Sequence, residues 1–396
     1  MVARERLDQL LENFISEGVP GCSLAVSYKG KIVYTGYRGV SRIEDQKKVD
    51  EHTVYRIMSC TKNVTSVAIM KLYEEGRLLL NDSLGNYLPF FRDCSYQTFN
   101  PANERIIRKI SKPITIKDLM MMTSGIPYGG KGSFTASEYL EKIGDIYAPS
   151  TMELAERISE IPLQFEPGTH WQYGMGYDVL GAVVESVSGK KFGEYLKEEI
   201  FDPLEMKHTG FVCTREMEDN LAWPYNLSEE VPFHDETEPL IRERSHRKAE
   251  LGGAGLYSTL DDLIRFAGML GQGGIWNGKR ILSKNTVDLM RKNHLKGQPM
   301  EDFRIMARDA YPWYEGYGWS LCGRTLMDCQ AAGSNGSVGE FGWCGMYGTY
   351  LLADPEKNLG VAYMQQTFPV IGGKQDYCHP RVRNVVYALL DEWEEL

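Results

Sequence analysis

The chain has 396 residues, 42% of them hydrophobic and 25% charged, the balance of a globular protein with a substantial core and a length for one large or two closely joined domains. A formal net charge of −10, with no basic run interleaved with aromatics, argues against nucleic acid as a partner. No apolar stretch reaches membrane-spanning length, so no membrane partner is expected.

Leu7, Leu10, Leu11 and Phe14 recur at helical spacing among charges, which predicts an amphipathic helix and not the apolar core of an export signal. A cytoplasmic location is the expectation, and in that reducing compartment the eight scattered cysteines are expected to be free thiols. They form no C-x-x-C pair and no Cys/His cluster, so no metal is expected; no organic cofactor is implied either. Residues 22–28 and 31–37 are β-rich runs around Lys29-Gly30, a hairpin signal.

After a short apolar approach comes Ser59-Cys60-Thr61-Lys62, an S-x-x-K unit at the first turn of a helix that ends near Gly76. Val64, Val67, Ala68 and Leu72 keep helical spacing, and Ile69 and Met70 add apolar surface on other faces; such a helix is buried. Residues three apart share a helical face, so the Ser59 hydroxyl and the Lys62 amine can meet. A buried lysine loses some of its preference for the charged form and can take the serine proton. The same residues also fit an N-cap serine followed by a solvent-facing lysine. The spacing recurs at Ser188–Lys191 and Ser245–Lys248, both in contexts that read as solvated surface. Cys60 reads as buried filler in preference to a second nucleophile.

Residues 81–310 read as mostly helical with long loops. Thr115-x-x-Asp118 is a capping-box-like start, residues 178–188 form an apolar helix closed by Gly189, and Gly252-Gly253-Ala254-Gly255 breaks the chain before a helix running to Leu270. Residues 345–353 and 359–365 form a second predicted hairpin, and residues 381–393 a last helix. Strands at residues 1–80 and 311–396 imply an α/β (α+β) architecture, with one antiparallel sheet built from both chain ends and a helical region laid against it. The active site is expected at that junction.

These segments together resemble the serine β-lactamase and penicillin-binding-protein superfamily, most closely its class C β-lactamases and family VIII carboxylesterases. The resemblance rests on Ser59-x-x-Lys62, then residues 114–119 and Thr123-Ser124-Gly125, Phe165 to Tyr173, Gly253 to Thr259 and Trp343-Cys344-Gly345 in that order. It implies a β-lactamase/transpeptidase-like fold and a Ser-Lys-Tyr mechanism. In it Ser59 is the nucleophile, Lys62 and Tyr173 carry the proton traffic, and the backbone N–H groups of Ser59 and Met346 form an oxyanion hole. A neighbouring lysine cation is expected to favour the Tyr173 phenolate. Trp343, opening the strand at 345–353, stands where β-lactamases carry a cation, and offers a substrate an apolar face and one N–H; Gly345 lets substrate approach the backbone. Where the superfamily has Tyr-x-Asn, this chain has Tyr173-Gly174-Met175, which leaves open what holds Lys62.

Substrate contacts are expected at Trp343, Gly345, Tyr128 and Met175, while Trp223, Tyr225 and Phe233 fit either a pocket wall or loop anchors. His208-Thr209-Gly210 mimics a superfamily triplet but precedes the glycine-rich break, and His170 is expected to be a packed ring. The function implied is a serine hydrolase acting on small esters. Alternatives are an acyltransferase, a D-amino-acid peptidase or amidase, a β-lactamase, or a sensor acylated once. The expected partner is a small ester or acyl compound; the sequence does not fix an oligomeric state.

Overall fold

The structure, a computed structural model, describes residues 3–130, 133–227, 233–234, 248–368 and 374–394. The N-terminal end supplies strands β1 (Gly21–Tyr28), β2 (Lys31–Arg42) and β3 (Lys47–Lys48). Strands β4 (Val54–Arg56) and β5 (Tyr257–Thr259) pair as a separate antiparallel ladder. The C-terminal end supplies β6 (Tyr317–Ser320), β7 (Gly323–Leu326), β8 (Phe341–Cys344), β9 (Tyr350–Asp354) and β10 (Leu359–Gln365). Among the described residues these make one eight-stranded sheet in the order β6-β7-β8-β9-β10-β1-β2-β3. The fold class is the one expected. Helices α1 (Ala3–Ser16), α2 (Thr61–Glu74), α3 (Gly176–Ser188), α4 (Leu260–Gly271), α5 (Gln298–Ala310) and α6 (Lys374–Tyr387) frame the sheet and the site.

The chain ends join at β1 and β10, both buried at every position, so both faces of the sheet need cover. Leu24 and Ser27 of β1 stand on opposite faces because they are an odd number of residues apart. Leu24 lies opposite Gly36 and Tyr363. There α1 packs, with Leu11 against Gly36 and Phe14 edge-on to Tyr363 at 5.7 Å. Ser27 lies opposite Gly360, and there Gly268 of α4 sits directly on the strands. No described helix is long and apolar enough to cross a membrane.

Helix α2 is buried nearly all round, against α3 and β8. Each of Val64, Val67, Ile69 and Leu72, none of them exposed, contributes about 1.5–3 kcal/mol by burial. Its interior polar side chains each donate a hydrogen bond: Asn63 to the Cys322 carbonyl at 2.6 Å, Thr65 to the Gly252 carbonyl at 2.7 Å, and Ser66 to its own helix at 2.8 Å. The Thr115–Asp118 capping box forms, and α3 ends at Gly189 in a left-handed conformation.

Two readings need correction. The second hairpin starts at Tyr350, so Trp343 lies within β8 instead of opening the next strand, and residues 345–349 are the turn between them. A hairpin of Ser95–Phe99 and Arg105–Lys109 lies in the helical region; these short strands are too rich in polar residues to show alternation in the sequence.

Candidate active site

Strand β4 delivers Ser59. Its end is clasped by β5, and the Ile57 N–H donates to the Leu256 carbonyl at 3.1 Å. Met58 then takes a left-handed φ of 47°, which costs a non-glycine residue on the order of 1 kcal/mol. A 3-10 turn, Met58–Cys60, leads straight into α2. Ser59 caps neither element, since Ile57 and Cys60 hold the cap positions. Lys62 is only 1% exposed, and its Nζ donates to Ser59 Oγ at 3.1 Å. The capping, solvent-facing alternative is thereby overturned.

Lys62 Nζ also donates to the Gly253 carbonyl at 2.6 Å and to the Tyr128 hydroxyl at 3.1 Å. These bonds do the holding that an asparagine in Tyr-x-Asn would do. They also fix direction: once the ammonium loses a proton, two N–H bonds stay on Gly253 and Tyr128 and the lone pair faces Ser59. Burial pushes the Lys62 pKa down to about 8, resisted chiefly by the Asp178 carboxylate. Asp178, in the first turn of α3, is 4% exposed and accepts the Gly253 N–H at 2.9 Å. A Cβ on Gly253 would stand 2.8 Å from an Asp178 oxygen, so this approach requires glycine. Sequence reasoning missed Asp178. Its signal was a carboxylate in the first turn of an apolar-rich helix, five residues after Tyr173.

Tyr173 is half-buried, with Lys62 Nζ 4.7 Å from its ring centre. Burial raises its phenol well above the usual range and neighbouring Tyr128 adds to this, while hydrogen bonds with Ser59 and Trp343 pull it partly back. The expected phenolate is therefore corrected, because desolvation of the anion outweighs the lysine beside it. Trp343 Nε1–H donates to the Tyr173 hydroxyl at 2.8 Å. That engages the one donor of the indole, so Trp343 shows the cavity its ring and not the N–H expected for substrate. Tyr314 stacks on the indole at 5.6 Å and Trp319 meets it edge-on at 4.7 Å.

A cavity of about 490 Å³ opens beside Ser59, lined among others by Met58, Tyr128, Tyr147, Trp171, Tyr173, Met306, Tyr311, Trp343, Gly345 and Met346. No charged side chain lines it among the described residues. Tyr147 and Tyr311 have no motif that would have marked them in the sequence, while Trp171 lies in the Phe165 to Tyr173 segment but was not expected to line the cavity. Gly345 has a structural reason as well: a Cβ there would lie 2.1 Å from Thr349 Oγ1 and 2.4 Å from the Ile57 carbonyl oxygen. The Met346 N–H donates to no protein acceptor among the described residues. Met175 is not at the cavity. It sits at the start of α3, 4% exposed in the core, because Gly174 packs on the Ile126 carbonyl and turns the chain inward.

A larger cleft of about 710 Å³ runs along α5 past Glu301, Arg304, Arg308 and Asp328, and holds none of the expected site residues. His170 pairs with Asp302 at 2.9 Å and packs on Phe165. The His208 backbone N–H donates to buried Asp262, away from the cavity. Ser188 ends α3 and accepts the N–H of Lys190, while Ser245 lies outside the described residues. Tyr225 accepts the Ile43 N–H at 2.8 Å and Trp223 lies under Arg42, so both are loop anchors; the Phe233 side chain lies outside the described part. All eight cysteines are free, and Cys60 is buried at the Thr349 hydroxyl. No described group of three His, Cys, Asp or Glu is placed to hold a metal.

The sequence profile of the Beta-lactamase family matches residues 4–376. Protein Rv1367c of Mycobacterium tuberculosis is 29% identical over 356 residues, 88% of this chain and 86% of the relative. Esterase EstB of Burkholderia gladioli is 27% identical over 402 residues, covering 97% and 95%. The solved structure of EstCE1, titled a hydrolase with promiscuous acyltransferase activity, superposes with a TM-score of 0.79 at 23% identity, covering 97% of this chain and 98% of its own.

Proposed function

The chain belongs to the Beta-lactamase family, which makes it a serine hydrolase, and on that premise we propose that it is a carboxylesterase forming an acyl-enzyme on Ser59. The observation that carries the reading is Lys62 Nζ 3.1 Å from Ser59 Oγ beside an apolar cavity. Neutral Lys62 takes the Ser59 proton as Oγ bonds to the acyl carbon, and the carbonyl electron pair moves onto oxygen. The backbone N–H groups of Ser59 and Met346 receive that oxyanion; each such donor contributes about 3–4 kcal/mol. Collapse re-forms the carbonyl and breaks the bond to the leaving oxygen, which takes the Tyr173 phenolic proton. Lys62 returns its proton to the phenolate. Water then attacks the acyl-enzyme by the reverse sequence.

An ester with an apolar acyl body suits walls made of Tyr147, Trp171, Tyr311 and Trp343. A β-lactam antibiotic carries a carboxylate, and no described side chain in the lining offers it a cation. The relative named as an esterase supports the same substrate class. The test is reaction with an activated short-chain ester and a fluorophosphonate probe. Turnover and a mass adduct on Ser59 are expected, and Ser59→Ala should lower turnover by at least about 10³-fold. No turnover, or an adduct on another residue, overturns the reading. Apolar walls also favour acyl transfer to an alcohol over water; product analysis with added alcohols decides between these acceptors.

A further inference from the structure

We propose that Asp178 is a positioning residue for Lys62: its carboxylate anchors the Gly253 N–H, presents the Gly253 carbonyl to the lysine, and biases Lys62 toward its charged form. The inference rests on the reading of Lys62 as the acceptor of the Ser59 proton.

Gly253 is the link, donating to Asp178 Oδ1 at 2.9 Å and accepting from Lys62 Nζ at 2.6 Å. Its lack of a Cβ is what lets the carboxylate come this close. The adjoining Gly252 carbonyl is tied to α2 by Thr65 at 2.7 Å, so the segment is fixed from both helices. The first turn of α3 supplies a positive helix end that favours a carboxylate. Other groups facing Lys62 are Ser59 and Cys60 of the 3-10 turn before its helix, Tyr128, Tyr173, Tyr177 of α3 and Cys344 of β8. Burial raises the phenols of Tyr128, Tyr173 and Tyr177 and the thiols of Cys60 and Cys344, which keeps them neutral. Burial raises Asp178 as well, opposed first by Lys62 and then by the Gly253 N–H, and Asp178 is the largest charge opposing the downward shift of the lysine.

A purely structural role would need only an acceptor for the Gly253 N–H, which an asparagine oxygen provides equally. Asp178→Asn therefore separates charge from shape. The readout is the pH dependence of fluorophosphonate labelling at Ser59 and of ester kcat/KM. With the anion gone the acid limb should move down by about one pH unit, so that labelling at pH 6, relative to its plateau, rises about tenfold. An unmoved limb in a variant with the wild-type melting temperature overturns the proposal. Should Asp178→Asn not fold, Gly253→Ala displaces the same carboxylate and should move the limb in the same direction; an unmoved limb there overturns it too. If Ser59→Ala still labels at the site, the reading of the active site has failed. If Ser59→Ala is silent and the limb is unmoved, the role of Asp178 alone has failed.

Discussion

A lysine with bonds to Ser59, Tyr128 and the Gly253 carbonyl has a defined place for every N–H, and this decides when it can act. Burial holds its pKa at about 8. Only the neutral amine accepts a proton, so kcat/KM for ester acylation should rise with pH, about tenfold per unit below 8, and level off above. A stopped-flow pH profile checks this, and a flat rate from pH 6 to 9 would remove Lys62 from the role of base. Tyr173 is shifted the other way from expectation: a phenol raised well above its usual range suits the proposed role of proton donor to the leaving group and not that of a phenolate base. The Ser59–Lys62 spacing was legible because a helix brings residues three apart together. The direction of the tyrosine shift was not, because desolvation depends on what tertiary packing removes from water.

At the level of elements, the site depends on how closely two chain segments approach. The turn after β8 lies on the end of β4, where Thr349 Oγ1 donates to the Ile57 carbonyl at 2.8 Å. Gly345 makes room for this contact, and the same contact spaces Ser59 from Met346 across the cavity mouth. Gly345→Ala should cost about 1–3 kcal/mol in urea unfolding, as overpacking does, and lower ester turnover by more than the unfolded fraction explains. A variant with wild-type stability and activity would show that the approach is slack. The glycine was visible in Trp343-Cys344-Gly345, but its first neighbours proved to be Ile57 and Thr349. Met175 teaches the same lesson: its place at the third position of the Tyr-x-Asn triplet suggested a substrate contact, and the turn at Gly174 sent it into the core.

For the molecule as a whole, α6 is expected to form an acid-sensitive joint. His379 of α6 is fully buried, stacked on Tyr350 at 4.6 Å, with Nε2 2.8 Å from the Gly348 carbonyl oxygen in the turn beside the site. Burial pushes its pKa down to about 3. The unfolded chain takes up this proton below pH 6.5 while the folded chain resists, so stability is full above 6.5 and falls as pH drops toward 3. Over that window the loss is on the order of several kcal/mol. Urea unfolding at pH 7, 5 and 4 should show a steeper decline for the wild type than for His379→Gln, and parallel declines would refute it. By itself the sequence determined the local matters: the helix that follows Ser59 and carries Lys62, the capping box at Thr115, the hairpin at Lys29-Gly30, and the strands at both ends that make the sheet, since each follows from spacing and turn chemistry over a few residues. Only the tertiary structure decided that Asp178 reaches Lys62 through Gly253, that the Trp343 N–H belongs to Tyr173, and which aromatic rings wall the cavity. The hydrogen bonds among them join residues 75, 170 and 191 positions apart, and their energies arise from burial and close approach, which no local pattern encodes.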